Sequence, residues 1–291
     1  MTRPDWQTDA KACGLTVRDL SEHVGAEIGG IDLSAPVSHA VTEVLRAACA
    51  ERVVLLFRGQ DAMDPAAYVR FTEGFGGAPD LHTQRHYCLP EHHAIFVVGN
   101  PVEGGRRVGA SRVGLNWHTD HYHLPEPATF TFLHALTVPR AEGQTRYANG
   151  MAAFDALPPA MQARIEGLQV RHSRARLFRM LFPEASEAEM AAEAIRVPDV
   201  MHPLVRVHPE LGRRGLYLGG EWGSEIEGVE DGQALFADLL AHLTQERFGY
   251  RHAWRPGDVL MSDNRCSMHR ASEWDEANET RRLHRIILLP A

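Results

Sequence analysis

The first half of the chain alternates short apolar runs of strand length with longer segments of helical spacing. Residues 15–34 and 53–57 are the strand candidates: glycines punctuate the former, and the latter is the continuous apolar run VVLLF. Such a run is typical of a strand that is buried on both faces. In residues 38–52 the apolar side chains recur every three or four positions, and residues 64–74 open with an Asp-Pro pair, so both segments are predicted helices.

The second half repeats this mixture with more helix. Strands are predicted between residues 128 and 149, and again at 251–254, 258–261 and 283–289. The spacing of apolar residues predicts helices at 151–170, 185–195 and 231–248, of which the last has the clearest amphipathic period. Short strands therefore flank a helical segment and do not alternate regularly with helices.

This arrangement predicts a mainly β fold with helical decorations, either a β-barrel or a jelly roll. No G-x-G-x-x-G segment follows a strand, which removes the usual sign of a dinucleotide-binding fold. No repeat or long linker divides the chain, so we expect a single domain over residues 1–291. Its helical insertion covers about residues 150–203, within which 172–203 is the candidate for a lid.

Composition and charge exclude several functions. The 291 residues are 44% hydrophobic and 23% charged, which is ordinary for a globular protein. The formal net charge is −8, and an acidic chain is a poor candidate for general nucleic-acid binding. Of the 30 lysines and arginines only Lys11 is a lysine, so neither a phosphate-binding P-loop nor a Schiff base is expected. Many arginines and 17 histidines suit carboxylate recognition and metal binding better.

The cysteines and the first residues indicate the compartment. Four cysteines stand far apart with no Cys-x-x-Cys pair, and the first residues lack the apolar run of a signal peptide. No apolar stretch approaches the length of a membrane span. We therefore expect a cytoplasmic protein with reduced thiols and with neither a membrane nor a nucleic-acid partner. A homo-oligomer is the default expectation for its assembly.

The most informative motif is Trp117-His118-Thr119-Asp120. In an extended segment residues two apart point to the same face, so His118 and Asp120 can approach one metal ion together. His269, which follows the strand-like run WRPGDVLM, is the best candidate for a third ligand. Two neutral histidines and one carboxylate are the signature of non-haem Fe(II) oxygenases. The zinc-protease pattern H-E-x-x-H is absent.

Two arginines near the end of the chain strengthen this interpretation. Arg281 and Arg285 lie on the same face of a predicted strand as Leu283. Burying two guanidinium groups beside a core leucine is costly unless each meets an anion, and the arginine fork matches a carboxylate. An edge strand with solvated arginines is the alternative. The apolar run that follows favours a buried strand and therefore a bound carboxylate.

From about residue 15 to its end, the chain resembles the taurine dioxygenase and 2,4-dichlorophenoxyacetate dioxygenase (TauD/TfdA) family of Fe(II)/2-oxoglutarate-dependent oxygenases. The resemblance rests on the segments GAEIGGIDLS, VVLLFRGQ, NWHTD, HPLVRVHPELGRRGLYLG and WRPGDVLMSDNRCSMHR and on the terminal arginine strand. It implies the family's double-stranded β-helix, a cupin-like jelly roll, which agrees with the strand pattern. It also implies Fe(II) as the metal, with 2-oxoglutarate and O2 as cosubstrates.

The resemblance also implies roles for individual residues. The positions that match the family's iron ligands are His118, Asp120 and His269. Arg281 and Thr145 resemble the residues that hold the distal carboxylate of 2-oxoglutarate. Arg285 is similar to a second arginine near the active site, which can contact the substrate anion or the proximal end of the cosubstrate.

Two positions depart from the family's pattern. The family commonly has Gly-Gly-Asp-Thr before its threonine strand, where this chain has Glu142-Gly143-Gln144-Thr145. Many relatives have a tryptophan just before the Asp-Asn-Arg run, and here that residue is Ser262. If Ser262 faces the pocket, a small hydroxyl replaces a bulky wall and leaves a larger or more polar cavity. The substrate of neither namesake enzyme therefore carries over.

Several further residues are expected around the substrate. The loop 81–91, Tyr122 and the helical insertion are the expected walls, and Tyr122 shares the alternation phase of His118 and Asp120 if the strand continues that far. The candidates for substrate contact are Arg285, Tyr122, His86, Asn116 and Ser262. A surface or hydrogen-bonding role is the simpler alternative for His82, His86, His121 and His123, as is a packing role for Cys266.

The expected reaction is hydroxylation of an unactivated C–H bond in a small organic substrate, with release of succinate and CO2. Arg285 favours an anionic substrate. The carboxylate of Asp120 argues against halogenation, because related halogenases leave that position to a halide. The same cofactor chemistry could instead end in desaturation, cyclisation or epimerisation in a biosynthetic pathway. A third alternative is a non-catalytic jelly-roll protein that binds a metabolite or metal, against which the intact triad and arginine positions argue.

Overall fold

The computed structural model describes residues 5–81, 85–111 and 113–290. Eight α-helices lie in this part of the chain: α1 Trp6–Ala12, α2 His39–Arg52, α3 Pro65–Glu73, α4 Gly150–Asp155, α5 Pro159–Ile165, α6 Arg174–Leu181, α7 Glu187–Arg196 and α8 Gly232–Leu243. Two 3-10 turns lie at Arg85–Tyr87 and Glu246–Phe248.

The strands of the same residues are β1 Thr16–Asp19, β2 Ala26–Gly29, β3 Val54–Phe57, β4 Ala78–Pro79, β5 Cys88–Leu89, β6 His92–Gly99, β7 Val102–Glu103, β8 Arg106–Arg107, β9 Phe130–Thr137, β10 Thr145–Asn149, β11 Gln169–His172, β12 Val200–Pro203, β13 Val205–Val207, β14 Arg214–Leu216, β15 Ser224–Glu227, β16 Gly249–His252, β17 Val259–Asp263, β18 Ser267–Ala271 and β19 Arg282–Leu289. Strands dominate, so the prediction of a mainly β protein with helices is confirmed.

The largest sheet has the order β1-β2-β3-β17-β9-β19-β6-β5, with β4 paired to β19. Within it β2 and β3 run parallel, whereas β17, β9 and β19 form an antiparallel centre. The side chains of this centre are mostly buried on both faces. The apolar runs that predicted strands at 53–57 and 283–289 thus belong to the most buried part of the molecule.

A smaller sheet, β16-β10-β18, lies against one face of the large one. A single apolar cluster contains Leu133, Leu260 and Leu283 from the large sheet together with Tyr147 of β10. The other face of the large sheet packs against helices α2 and α3, through residues such as Phe71. The inner faces of β9, β19, β10 and β18 therefore meet, and the candidate site lies among them.

Local sequence signals explain the predicted helices that the structure confirms. Helix α2 begins after Ser38, whose hydroxyl accepts a hydrogen bond from the backbone N–H of Val41 at 3.3 Å. Helix α3 begins after Asp64, whose carboxylate accepts from the N–H of Ala67 at 2.7 Å, with Pro65 at the first helical position. Each cap satisfies an N–H group that has no partner within its own helix.

The helix predicted for residues 151–170 is divided into α4 and α5 by a break at residues 156–158, and it does not continue past Ile165. The segment Gln169–His172 forms β11, in which buried Val170 and His172 alternate with half-buried residues. This period of two places Val170 opposite Ile226 of β15 inside an apolar cluster. Pairing with two neighbouring strands therefore decided the conformation of these residues.

Several strands were not predicted, and two of them contribute to the candidate site. The segment His92–Gly99 forms β6, although its two histidines hide the apolar run that follows. The segment Ser267–Ala271 forms β18, which carries His269. Among the described residues, no helix combines the length and apolar character that crossing a membrane would require.

Candidate metal centre

The three predicted ligands lie together between the two sheets. Nε2 of His118 is 3.7 Å from Oδ1 of Asp120, and Nε2 of His269 is 3.8 Å from Oδ2 of the same carboxylate. The two imidazole rings have centroids 4.3 Å apart. One ligand atom from each residue lies within 4.8 Å of the others. Bonds from metal to histidine nitrogen or carboxylate oxygen are about 2.0–2.2 Å long, so one ion can reach all three.

Backbone pairing brings the two histidines side by side. The N–H of His118 donates to the carbonyl oxygen of His269 at 2.9 Å, and the N–H of His269 donates back to His118 at 2.7 Å. His118 forms only isolated bridges, and the chain turns at Asp120, with His121 at a φ of 54°. The strand does not continue to Tyr122, so the alternation that would place Tyr122 beside the ligands does not apply.

Both imidazoles present Nε2 to the carboxylate. Nδ1 of His118 lies 2.9 Å from the carbonyl oxygen of Asn116, a contact that selects the tautomer with the proton on Nδ1 and the lone pair on Nε2. His269 is buried and stacks on the ring of Tyr147, with centroids 5.7 Å apart. Burial, with the nearby charges of His118 and Arg285, lowers the pKa of His269 to about 3. His269 is therefore neutral at pH 7, the form that binds a metal.

Two residues that were not predicted hold Asp120 in place. The hydroxyl of Thr131 donates to Oδ2 of Asp120 at 2.5 Å, and the amide of Asn264 donates to that hydroxyl at 2.9 Å. The side-chain oxygen of Asn264 accepts from the N–H of Asp120 at 3.3 Å. Burial alone would raise the pKa of Asp120, but His269 and Arg285 outweigh it and hold this pKa well below its usual range. The carboxylate is thus ionised and oriented.

A buried cation without a counter-charge lies on the same inner face. Arg281 is 2% exposed, and within the part of the chain that the structure describes its Nε has no hydrogen-bond partner. Burial lowers its pKa to about 10, so it is charged at pH 7. Thr145 and Arg281 line one cavity together with His118 and His269. The indole N–H of Trp254 donates to the hydroxyl of Thr145 at 3.0 Å, which leaves the hydroxyl proton free to donate to a ligand.

Close backbone contact fixes the position of Arg281. Gly99 has a φ of 130°, and a Cβ there would lie 1.8 Å from the carbonyl oxygen of Arg281, so no side chain fits. The side-chain oxygen of Asn100 accepts from the N–H of Arg281 at 2.8 Å. The guanidinium lies 5.3 Å from the ring centroid of Trp274. These contacts therefore hold Arg281 in a fixed position, although no described residue forms an ion pair with its guanidinium group.

Arg285 lies between this cation and the ligands. Its Nη1 is 3.8 Å from Oδ1 of Asp120, and its guanidinium lies 4.8 Å above the ring of Phe96. Arg281, Leu283 and Arg285 line the same cavity, as expected for side chains on one face, although β19 begins at Arg282 and Arg281 directly precedes it.

The other predicted substrate residues occupy four different positions. Asn116 contributes its carbonyl oxygen to His118. Ser262 is buried beside Thr131, to whose carbonyl oxygen its hydroxyl donates at 3.3 Å. The hydroxyl of Tyr122 donates to the carbonyl oxygen of Trp222 at 2.8 Å, and His86 is exposed beside Tyr87. None of these four lines the cavity that holds the ligands, as far as the described residues show.

The neighbouring histidines have different surroundings. His121 lies 2.8 Å from the carboxylate of Asp80, which agrees with a hydrogen-bonding role. Burial lowers the pKa of His123 to about 3, so it is neutral at pH 7. His82 and the rest of 82–84 lie outside the described residues, as does Arg112.

A second group with metal-binding residue types lies elsewhere in the core. His208, Asp263 and Cys266 are fully buried, with possible ligand atoms within 4.8 Å of one another. Asp263, however, accepts two hydrogen bonds from the guanidinium of Arg265, at 2.9 and 2.6 Å. Nε2 of His208 lies 3.1 Å from the same carboxylate, and its Nδ1 accepts from backbone N–H groups. These lone pairs are used internally, so this group ties loops together.

Known proteins are similar to this chain in both sequence and fold. The profile described as "Taurine catabolism dioxygenase TauD, TfdA family" matches residues 16–287. The chain belongs to this family. It is 32% identical over 261 residues to the alpha-ketoglutarate-dependent 2,4-dichlorophenoxyacetate dioxygenase of Cupriavidus pinatubonensis, which covers 86% of this chain and 89% of that protein. It is 30% identical over 292 residues to the alpha-ketoglutarate-dependent sulfate ester dioxygenase of Pseudomonas putida, covering 97% and 91%.

A solved structure of AAD-2 in complex with Mn(II) and N-oxalylglycine superposes with a TM-score of 0.81 at 29% identity, over 95% of this chain and 97% of that one. The predicted TauD/TfdA membership is confirmed. The chain is a non-haem Fe(II)/2-oxoglutarate-dependent dioxygenase, with Fe(II), 2-oxoglutarate and O2 as its cofactor and cosubstrates. The free Nε2 atoms, the ionised Asp120 and the unpaired Arg281 fit such a metal and such a dicarboxylate.

Proposed function

We propose that this TauD/TfdA enzyme hydroxylates an unactivated C–H bond of a small anionic molecule. The observation that carries the proposal is the open ligand set of His118, Asp120 and His269 beside a buried, unpaired Arg281. When bound, Fe(II) and 2-oxoglutarate supply the activation of O2 that removes a substrate hydrogen, with release of succinate and CO2.

Each residue would do a separate task. His118 and His269 would hold Fe(II) through Nε2, and Asp120 through an oxygen that Thr131 orients. Arg281 and the hydroxyl of Thr145 would hold the distal carboxylate of 2-oxoglutarate, because a buried guanidinium gains most from an anion that replaces its lost water. The apolar walls around them exclude water from the reacting centre.

The charge balance of the site supports an anionic substrate. Fe(II) and the two arginines bring four positive charges, against one negative charge on Asp120 and two on 2-oxoglutarate. One positive charge is left over, and Arg285, which lies 3.8 Å from Asp120, is placed to direct it at the substrate. Relatives named for 2,4-dichlorophenoxyacetate and for sulfate esters act on anions. We propose the same class of substrate here, with Tyr122, His86, Asn116 and Ser262 as further candidate contacts.

One relative favours a second outcome of the same chemistry. The pentalenolactone F synthase of Streptomyces arenae is 28% identical over 267 residues, covering 87% of this chain and 88% of that protein. Its name indicates biosynthesis. Desaturation, cyclisation or epimerisation of a biosynthetic intermediate is therefore the alternative, and product analysis distinguishes it from hydroxylation.

The test measures succinate release with Fe(II), 2-oxoglutarate and pairs of compounds that differ only in charge, such as aryloxyacetates or alkyl sulfates and their neutral esters or alcohols. We expect the anion of a pair to stimulate succinate release more than its neutral counterpart. Arg285→Ala should remove this preference, whereas Arg281→Ala should abolish 2-oxoglutarate use. An unchanged substrate KM in Arg285→Ala would contradict the anionic class.

Binding of the cosubstrate is tested separately. Anaerobic addition of Fe(II) and 2-oxoglutarate to the metal-free protein should produce a weak visible absorption band that Arg281→Ala lacks. Folded protein without such a band would favour a non-catalytic binding protein.

We further propose that the sheets form the family's double-stranded β-helix within one domain of residues 1–291. The shared apolar cluster between the two sheets supports this arrangement. Cytoplasmic location, a homo-oligomeric state and the lack of a nucleic-acid partner stay predictions.

We also propose that residues 172–203, inside the helical insertion of residues 150–203, form a lid. Helix α6 has no buried residue, and Met180, Phe182 and Ile195 are 54%, 52% and 81% exposed. Hydrogen exchange in α6 and α7 should slow when 2-oxoglutarate and substrate bind. Equal exchange rates with and without ligands would contradict a lid.

A further inference from the structure

Three arginines stand side by side on the outer face of the small sheet. Arg146 of β10 lies directly opposite Arg251 of β16 and, on its other side, directly opposite Arg270 of β18. Residues in such register project from the same face, with Cβ atoms about 4.5–5.5 Å apart. We call Arg146, Arg251 and Arg270 the arginine row.

Among the described residues the row has carboxylates nearby but no ion-pair partner. No carboxylate there forms an ion pair with any of its three guanidinium groups, and Nε of Arg270 is buried without a hydrogen-bond partner. Arg270 instead lies 5.7 Å from the ring centroid of Trp117. Burial and the two neighbouring arginines lower the pKa of Arg146 by more than the carboxylate of Glu246 raises it.

Another arginine of this protein shows the contrast. Arg171, in the middle of the sheet β12-β11-β15, contacts Asp199, Glu225 and Glu227 at 2.5–3.1 Å. Like charges placed directly opposite one another destabilise a sheet. The three arginines of the row therefore repel one another. No ion pair compensates them in the way that three carboxylates compensate Arg171.

A cavity of about 490 Å³ opens over the row. Gln144 and Ser272 line it as well and add polar groups. Glu142 and Glu273 also contribute to its wall, but neither is ion-paired with the row. The cavity thus offers three arginine forks to a ligand of small-molecule size.

We propose that the arginine row is a binding site for a small multivalent oxyanion, one that carries phosphate or carboxylate groups. Strands lie about 4.7–4.9 Å apart, so the row spans about 10 Å and can engage two anionic groups of one molecule. Guanidinium groups bind phosphate and carboxylate oxygens through paired hydrogen bonds, and three of them favour more than one negative charge.

The row is separate from the metal centre but lies behind it. Thr145 and Tyr147 flank Arg146 in the sequence and point to the opposite, inner face of β10, while Arg270 directly follows His269. The site uses none of the residues assigned to the metal or to 2-oxoglutarate. An anion bound there would contact the strands that carry those residues from outside.

Calorimetric titration of the iron-loaded protein tests the proposal, under anaerobic conditions with saturating 2-oxoglutarate and at constant ionic strength. One arm uses inorganic phosphate and the other tricarballylate, which separates a phosphate site from a carboxylate site. We expect saturable binding of one equivalent in at least one arm. Arg251→Gln should weaken it by about tenfold or more, because it removes a charge-assisted bidentate contact.

Arg106→Gln is the matched control, since Arg106 is exposed on β8 and its loss changes the net charge equally. It should leave the dissociation constant unchanged, and Arg251→Lys, which keeps the charge but not the fork, should give an intermediate value. Absence of saturable binding in both arms would overturn the proposal, as would equal weakening by Arg251→Gln and Arg106→Gln. A salt-sensitive dimer that Arg251→Gln dissociates, without anion binding, would show instead that a second copy covers the row.

Discussion

Two groups in the core of this protein contain nearly the same metal-ligating residue types, but only one of them is suited to bind a metal ion. The first comprises His118, Asp120 and His269, and the second comprises His208, Asp263 and Cys266. In both, the ligand atoms lie close enough together for one ion. Residue type and proximity alone therefore do not distinguish a metal centre from an internal clasp.

The neighbouring arginine makes the difference. Arg265 grips Asp263 through paired hydrogen bonds and also contacts Glu210 at 2.7 Å, so cation and carboxylates neutralise one another. Arg285 stays 3.8 Å from Asp120 and forms no hydrogen bond with it. Asp263 uses its lone pairs to accept hydrogen bonds from Arg265, whereas Asp120 is only held in orientation. Of the two carboxylates, only Asp120 therefore has lone pairs available for a metal.

The largest expected effect comes from the same substitution in both groups. Asp120→Asn should lower iron affinity by more than about 100-fold, the upper range for loss of a residue that merely supports a ligand. Asp263→Asn should bind iron as the wild type does but lose about 3–5 kcal/mol of unfolding free energy, because it leaves Arg265 buried without its partner.

Iron content after dialysis and urea denaturation measure these two outcomes. Circular dichroism establishes that each variant is folded. If folded Asp263→Asn lost its iron, the distinction between a metal centre and a clasp would be wrong.

A second pair of variants compares the two buried arginines. Arg281→Met should weaken 2-oxoglutarate binding by about 100-fold or more, since breaking a buried charge pair costs about 3–5 kcal/mol. The ligand-free variant should be at least as stable as the ligand-free wild type, because the substitution removes an unpaired buried cation. Arg265→Met should do the reverse, with normal 2-oxoglutarate affinity and lower stability.

Calorimetry with 2-oxoglutarate and urea denaturation of the metal-free proteins measure both quantities. A strongly destabilised Arg281→Met would mean that an internal partner, and not a ligand, neutralises this arginine.

A smaller effect is expected from two hydroxyl groups that donate hydrogen bonds to Asp120 and Asp263. Thr131→Val keeps the shape but removes the hydrogen bond to Asp120, and iron affinity should fall by about 10–100-fold. Ser267→Ala is the matched control, because its hydroxyl donates to the carbonyl oxygen of Asp263 at 2.6 Å. It should cost about 1 kcal/mol of stability and leave iron affinity unchanged. Equal iron affinity in Thr131→Val and wild type would show that Thr131 does not position the ligand.

Local patterns predicted the parts of the site that depend on short spacing. Alternation along the last predicted strand placed Arg281, Leu283 and Arg285 on one face, and all three line the same cavity. Local spacing could not pair His118 with His269, because 151 positions separate them; His269 was chosen because it follows a strand-like run, and the family resemblance supported that choice.

Thr131 and Asn264 escaped prediction for the same reason. Thr131 lies in the apolar strand β9 and meets Asp120 only after the chain turns back. Its signal was a hydroxyl on the same strand face as Leu133, within an otherwise apolar run. The central strands of the large sheet were therefore predictable, whereas their order β17-β9-β19 arises from pairings between distant residues that no local pattern encodes.

The smallest expected effect is the pH dependence of stability, to which several buried histidines contribute. Burial lowers the pKa of His269 and of His284 to about 3, below the value of about 6.5 in an unfolded chain. The unfolded state therefore binds more protons between these values, and stability is lost as the pH falls below about 6.5. Each such histidine contributes a slope of up to about 1.4 kcal/mol per pH unit.

His284→Gln removes one titrating histidine at a site away from the ligands. The free energy of unfolding of the metal-free variant, measured by urea denaturation between pH 7.5 and 5, should therefore depend less steeply on pH than that of the wild type. Mn(II) should steepen the dependence in both proteins, because binding requires neutral His269. In Asp120→Asn that metal-dependent part should vanish, whereas in Asp263→Asn it should persist. A metal-dependent slope that survived in Asp120→Asn would place the ion at the other histidine group.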